Sequence, residues 1–209
     1  MIRVIDQANQ LRYRETLERQ FCFRHEIFVK ERGWTAFEQD GRYEVDQYDN
    51  ENTIYVVALD DDERVIGCFR LYPTQAPHML SEVFSYLVDG PVPQRSDVLE
   101  MTRISVSRDK RGGRTYYELL TGLQEYGLQQ GLSAVSAVIR SFRMSVVQDA
   151  GFRVHPLGLP REVNGETLIA VTFEIGEDSL ERIRHTAGVT GPVLEQVTQP
   201  AGALQRKFA

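Results

Sequence analysis

Apolar and polar positions sort the chain into alternating helices and strands. Over residues 8–30, Leu17, Phe21, Arg24 and Phe28 fall at helical spacing on one stripe, which predicts a helix that Arg32-Gly33-Trp34 ends. GRYEVDQYDNEN, 41–52, is polar and acidic without a period and reads as a loop. TIYVVAL (53–59) and RVIGCFRLY (64–72) read as strands, with DDDE between them as a hairpin connection. HMLSEVFSYLV, 78–88, is expected to be a helix and GPVPQ, 90–94, a turn-rich loop before the strand LEMTRISVS, 99–107. A helix is expected over 115–132, with Thr115 and Glu118 as a capping box at its start and Gly131 at its stop. SAVSAVI, 133–139, reads as a strand, 141–152 as a short helix, and FRVHPLGL and LIAVTFEI as strands that complete the sheet. Little periodicity remains from about 186 onward. The expected organisation is one α/β domain over 1–185, a mixed sheet with helices on both faces, followed by an irregular tail over 186–209.

One strand does not fit its own pattern. In a regular strand neighbouring side chains alternate faces. Glu100 and Arg103 of LEMTRISVS would then point apart, and one charge would enter the core. Either the strand is irregular here, or one charge has work inside. A pair of charges on an edge strand is the plainer alternative, but Leu99, Met101, Ile104 and Val106 make the segment look central.

Composition narrows the class. With 42% hydrophobic and 26% charged residues in 209, the chain is that of an ordinary globular protein with a substantial core. No apolar run reaches membrane-spanning length, and the start turns polar too soon for a secretory signal. Cys22 and Cys68 are far apart in apolar contexts, which suits a reducing cytoplasm and suggests neither disulfide nor metal ligation. A net charge of −6 argues against general nucleic-acid binding, though RDKRGGR at 108–114 is locally basic.

That basic turn sits between a strand and a helix start in ISVSRDKRGGRTYYELL. A helix N-terminus offers unpaired N–H groups, glycines let a phosphate approach the backbone, and arginines add charge. Arg111, Gly112 and Gly113 are thus candidate phosphate contacts, with a merely solvated turn as the alternative. The arrangement resembles the pyrophosphate loop of the Gcn5-related N-acetyltransferase fold, where coenzyme A or a phosphopantetheine arm lies. In that fold the preceding strand carries a bulge. Here a bulge would re-aim the chain so that Glu100 and Arg103 face one cleft, and the resemblance implies Thr102 and Ile104 as contacts of the acyl–pantetheine arm.

The first half carries further charges in apolar settings. Arg24 lies on the helix stripe between Phe21 and Phe28, either snorkelling to water or holding a carboxylate or phosphate over a cleft. Trp34, the only tryptophan, is either core or the wall of a pocket for an adenine ring or a sulfonium. Asp46 and Asp49, with Glu44 beside them, are solvated loop acids or holders of a cation. Arg70 interrupts an apolar strand; if buried it must be paired, and these aspartates are candidate partners.

Together FRHEIFVKERGW, EVDQYD, CFRLYPT and LEMTRISVS, in this order and spacing, closely resemble the acyl-homoserine-lactone synthases of LuxI type, over about residues 20–175. The family pattern is matched by Arg24, Phe28, Trp34, Asp46, Asp49, Arg70, Glu100 and Arg103 without departure. The resemblance implies a quorum-sensing signal synthase joining S-adenosylmethionine to an acyl thioester and releasing methylthioadenosine, with no cofactor or metal beyond these substrates. It implies Glu100 as general base through a water, its pKa lowered by a neighbouring Arg103, which would order the carboxylate or the acyl carbonyl region. Backbone N–H groups at the bulge would serve the oxyanion. Arg24, Phe28 and Trp34 would line the S-adenosylmethionine pocket, and Asp46, Asp49 and Arg70 would hold the N-terminal segment over it. The acyl chain would run between the sheet and the helix after SAVSAVIRS, past Ala137, Phe142, Met144 and Val147. Family members making 3-oxo signals often carry Thr where Ala137 stands, so an acyl group without a 3-oxo oxygen is expected, short, branched or aryl. The donor is acyl-coenzyme A or acyl carrier protein, the latter docking on Arg140, Arg143 and Arg153; HPLGLPREVNG, 155–165, inclines the reading to coenzyme A. A LuxR-type receptor would be a partner only through the product. The rival reading is an acyltransferase of the same fold acting on another amine.

Overall fold

The computed structural model describes residues 1–195. The chain opens with strand β1 (Ile2–Ile5), helix α1 (Arg14–Arg24) and a π-helical stretch at His25–Glu31. A small hairpin of β2 (Glu38–Gln39) and β3 (Tyr43–Glu44) follows, then β4 (Ile54–Leu59) and β5 (Val65–Pro73). Next come a short helix α2 (Met79–Glu82), β6 (Val98–Val106), α3 (Arg114–Gln129), β7 (Ala134–Arg140) and α4 (Arg143–Asp149). The last elements are β8 (Val154–Pro156), β9 (Arg161–Val163), β10 (Glu166–Glu174) and α5 (Glu177–Ala187).

The main sheet runs β1-β4-β5-β6-β7-β10-β8, with β9 paired to β10. Its strands are antiparallel except for β6 and β7, whose parallel register pairs Val98 with Ala134, Leu99 with Val135 and Glu100 with Ser136. The connection through α3 is the crossover that a parallel pair requires. One face is buried by α3, α4 and α5 over Val56, Phe69, Leu71, Leu99, Met101, Val135, Ala137 and Val171. The opposite face carries two smaller clusters, Ile5, Tyr13, Tyr55, Val57 and Leu59 near α1, and Leu80, Leu87 and Ala170 near α2. The mixed sheet with helices on both faces is as the sequence predicts.

Several element boundaries differ from expectation. The first helix begins at Arg14 rather than residue 8 and, past Arg24, widens into the π-helical stretch, so one continuous α-helix over 8–30 is not formed. Gly33, at φ +74°, supplies the left-handed turn that ends it. The loop over 41–52 contains β3, and the helix over 78–88 breaks after α2 into a single 3₁₀ turn at Ser85–Leu87. Thr115 and Glu118 form no capping box: Gly113 is the N-cap, without a side-chain bond, while Arg114 pairs with Glu118 at 2.8 Å. Strand β1 and helix α5 have no counterpart in the sequence reading. The boundary at 185/186 falls within α5, and residues 189–195 run back against β1, where Ile2 N–H donates to Val193 at 2.9 Å. The remainder of the expected tail, 196–209, lies outside the described residues.

Candidate active site

The irregularity anticipated in β6 is a bulge. Arg70 of β5 faces Thr102, whereas Cys68 faces Ser105, so three steps on β6 oppose two on β5. Arg103 carries the bulge in a left-handed conformation at φ +58°, uncommon for a residue with a side chain. The extra residue places Glu100, Thr102, Arg103 and Ser105 on one face, while Leu99, Met101, Ile104 and Val106 all reach the core beneath α3. Both charges thus share a face without any apolar residue leaving the core.

On that face three arginines meet three carboxylates, all buried. Arg24 donates to Glu44 at 2.6 Å and, with both Nη atoms, to Asp49 at 2.6 and 2.8 Å. Arg70 grips Asp46 at 2.5 and 3.0 Å and donates its Nε–H to Thr102 Oγ1 at 2.9 Å. Arg103 donates to Glu44 at 2.9 Å and to Asp46 at 2.6 Å. Tyr55 O–H and the Asp46 amide also donate to Asp49, at 3.1 and 2.9 Å. The six charges balance, which is the condition for burying them. Burial alone would raise the Asp49 pKa, but the Arg24 hydrogen bonds and the charges of Arg24 and Arg70 hold it well below the usual carboxylate range.

Arg24 is fully enclosed, with its guanidinium fork engaged, so it underpins the site and does not open onto a pocket. Glu44, noted in the sequence only as a neighbour of the two aspartates, joins Arg24 to Arg103. It sits in β3, where a lone acid among polar residues gives no signal of burial.

Glu100 stands at the edge of this network and touches none of its arginines. Its two carboxylate oxygens accept the Met79 and Leu80 amides at the start of α2, at 3.0 and 2.6 Å. Burial pushes its pKa up to about 7, against the opposing effect of those two N–H groups and of the Arg70 charge. The expected lowering by Arg103 is thereby corrected: Arg103 is committed to Glu44 and Asp46 and orders neither the Glu100 carboxylate nor its titration.

Above the network lies an aromatic group. Phe28 and Trp34 stack with centroids 5.0 Å apart, and Phe37 meets Trp34 edge-on at 6.3 Å. The Arg103 guanidinium lies 5.1–5.5 Å from all three rings. Phe28 is buried, while Trp34 is 38% exposed and forms an accessible rim. Phe37 was not singled out from the sequence; its position three residues after Trp34 is the only hint.

Beyond Glu100 and Ser136, β6 and β7 continue but no longer pair, so the sheet splits and a cleft opens between them. Backbone polar groups on both walls are left available to an extended, amide-bearing ligand. At the far end the turn after β6 carries Gly112 at φ +75° and Arg111, whose Nε–H donates to the Val106 carbonyl and whose Nη2 pairs with Glu31 at 2.6 Å.

The expected acyl lining is divided. Ala137 and Val147 are buried in the core, Met144 packs partly against it, and Phe142 is 60% exposed. By register Ala137 lies on the opposite face from Glu100, whose β7 partner is Ser136, so these four residues do not form one wall beside the carboxylate. Of the basic residues suggested for carrier docking, Arg140 is paired with Glu166, and Arg153 with Glu174 and Asp178. No helix of the described residues is long and apolar enough to cross a membrane, and among them no metal-ligand cluster is found.

A split mixed sheet and a bulged central strand define the acetyltransferase-like fold, with a buried carboxylate at the split. A solved acyl-CoA N-acyltransferase from Pseudomonas aeruginosa, at 16% identity, shares the fold with a TM-score of 0.56. The autoinducer synthase family model matches residues 8–183. The isovaleryl-homoserine lactone synthase of Bradyrhizobium diazoefficiens is 38% identical over the whole of both chains, and an acyl-homoserine-lactone synthase of Ralstonia nicotianae is 32% identical over 83% of this chain and 90% of its own. A CoA-dependent acyl-homoserine lactone synthase, BjaI, solved with SAM and isopentyl-CoA, superposes with a TM-score of 0.89 over 96% of this chain and 94% of that one, at 38% identity. The chain belongs to the autoinducer synthase family and is an acyl-homoserine-lactone synthase.

Proposed function

We propose that this synthase takes its acyl group from coenzyme A and that the group is short and branched, without a 3-oxo oxygen. The isovaleryl-homoserine lactone synthase supports the acyl class, and the CoA-dependent synthase solved with isopentyl-CoA supports the donor, both matching along nearly the whole chain. Acyl-homoserine lactone synthesis proceeds here in the cytoplasm, and the product acts on a LuxR-type receptor.

The observation that carries the mechanism is the Glu100 carboxylate, buried at the split and held by two amides. A pKa of about 7 suits a base working near neutral pH. In the first step the methionyl nitrogen of S-adenosylmethionine forms a bond to the acyl carbonyl carbon. Its proton passes through a water to Glu100 and on to the departing thiolate, as the carbon–sulfur bond breaks. Backbone N–H groups at the bulge stabilise the oxyanion. In the second step the methionyl carboxylate oxygen bonds to its own γ-carbon, and the sulfonium leaves with the electron pair as methylthioadenosine. Phe28 and Trp34 flank the sulfonium, the carboxylate–arginine network holds this segment in place, and the pantetheine arm follows the split between β6 and β7 with its phosphates at Arg111, Gly112 and Gly113.

Mass spectrometry of the purified protein with S-adenosylmethionine and a panel of acyl thioesters tests this. Isovaleryl-CoA is expected to give lactone and methylthioadenosine together, ahead of 3-oxo-acyl thioesters and acyl carrier proteins. Lactone from carrier protein alone overturns the donor, and free thiol without methylthioadenosine points to an acyltransferase for another amine.

A further inference from the structure

Three arginines stand around the outer end of the split, and one differs from the others. Arg111, in the turn after β6, is paired with Glu31, and Arg140, at the end of β7, is paired with Glu166. Arg32 has no carboxylate or hydrogen-bond partner among the described residues. Its guanidinium lies 4.9 Å from the Phe28 ring centroid and 5.8 Å from that of Trp34. Partial desolvation against the rings, and then the charges of Arg140 and Arg111, lower its pKa, while the charges of Glu166 and Glu31 oppose this. Arg32 is exposed at this rim and, unlike Arg111 and Arg140, keeps its guanidinium uncommitted, so it presents a free positive charge beside two paired ones where an anion of several charges can be met. The walls of the split explain which anion: Arg111 follows β6, Arg140 closes β7, and Arg32 leaves the π-helical stretch that carries Phe28.

Resting on the coenzyme A reading above, we propose that Arg32 reads the phosphate-bearing end of the donor, with Arg111 and Arg140 beside it, and so selects coenzyme A thioesters over the same acyl group on a shorter, uncharged carrier. A guanidinium suits this role because it binds phosphate oxygens bidentately while stacking on aromatic faces. The acyl carrier protein offers one phosphodiester where coenzyme A offers a diphosphate and a 3′-phosphate, so it makes the weaker match.

The test compares wild type, Arg32→Gln and Arg32→Lys with isovaleryl-CoA, its 3′-dephospho form, isovaleryl-pantetheine and isovaleryl-acyl carrier protein. Calorimetry with free coenzyme A and pantetheine runs beside it. Arg32→Gln is expected to lower the ratio of kcat/KM for isovaleryl-CoA over isovaleryl-pantetheine about tenfold, through KM, and to weaken coenzyme A binding by a similar factor. Arg32→Lys should recover part of the ratio. An unchanged ratio, or equal losses on both donors, overturns the proposal and leaves Arg32 a support for the aromatic pair. If wild type makes lactone only from carrier protein, the donor reading fails and this assignment with it. If coenzyme A binds tightly and Arg32-dependently but no lactone forms, the fault lies with the reaction instead.

Discussion

Glu100 and Asp49 are both buried carboxylates in one site, yet their surroundings drive them in opposite directions. Glu100 has two amides and no arginine on its oxygens, and burial wins, raising its pKa to about 7. Asp49 has the Arg24 fork, and pairing wins over burial. The consequences for pH differ in sign. A carboxyl raised in the fold binds its proton more tightly there than in the unfolded chain, so its stabilisation is present below its ordinary pKa of 4.5 and is lost as pH rises to about 7. Urea unfolding of wild type and Glu100→Gln between pH 4.5 and 8 should show the variant gaining on wild type as pH rises, by up to about 3 kcal/mol. The same variant should lose about 10²-fold or more in kcat, together with the limb near pH 7 in the wild-type profile. For Asp49 the stabilisation is present above the ordinary carboxylate pKa and is lost as pH falls. Asp49→Asn leaves Arg24 buried beside a neutral amide and should cost about 3–5 kcal/mol in denaturant unfolding at pH 7.

At the scale of elements, the alternation of LEMTRISVS showed only that β6 is irregular or carries a working charge, Glu100 or Arg103, inside, and the resemblance to the acetyltransferase fold is what pointed to a bulge. The partners of those charges were not legible. Glu44, Asp46 and Asp49 come from β3 and the loop after it, and nothing local separates a buried acid from a solvated one. Strand β1 escaped notice because four residues at the chain start show too short an alternation, and α5 because only Leu180 and Ile183 of its apolar positions are buried among many charges. Its ends were nonetheless marked, by Glu177 and Asp178 in the first turn, Arg184 and His185 in the last, and Gly188 at φ +63°. The π-helical stretch is set by tertiary contacts of His25, Ile27, Phe28 and Val29, which periodicity at 3.6 residues cannot anticipate. The pairing of β5 with β6 has its own reporter in Cys68, which lies opposite Ser105 just past the bulge. Burial raises its thiol pKa to about 11, so at pH 8 it is expected to resist iodoacetamide while partly exposed Cys22 reacts. Peptide mass mapping of the folded and urea-unfolded protein checks this; Cys68 labelling in the folded state would mean that β5 and β6 separate readily.

Over the whole molecule, the β1 edge of the sheet is not protected by the sheet's own strands. Strand β1 ends the sheet order, and its outer side would be open if the chain stopped after α5. Instead residues 189–195 return along it, with Leu194 bridged in parallel to Ile2 and the Glu195 amide donating to the Ile2 carbonyl at 2.7 Å. Three further features fix this segment. Arg3 is tied to Glu195 at 2.6 Å; the buried Glu125 carboxylate of α3 accepts the Val193 and Leu194 amides; and Leu194 packs, with Ile2, against the bare backbone of Gly122. An edge covered by its own chain is protected from pairing with another copy. Shortening the chain to end at Gly188 therefore removes more than a surface strap: it leaves Glu125 buried without its amides and Arg3 without Glu195, and bares the β1 edge. The shortened protein is expected to unfold at least 4 °C lower, since about 2 kcal/mol corresponds to roughly that shift in a domain of this size. It should also self-associate with rising concentration in light scattering. Leu194→Asp, which keeps every other group, should reproduce the thermal loss, because a carboxylate cannot be accommodated against Ile2 and Gly122. If both variants melt with wild type and remain monodisperse, the segment lies on β1 without stabilising it, and the sheet edge is guarded by other means.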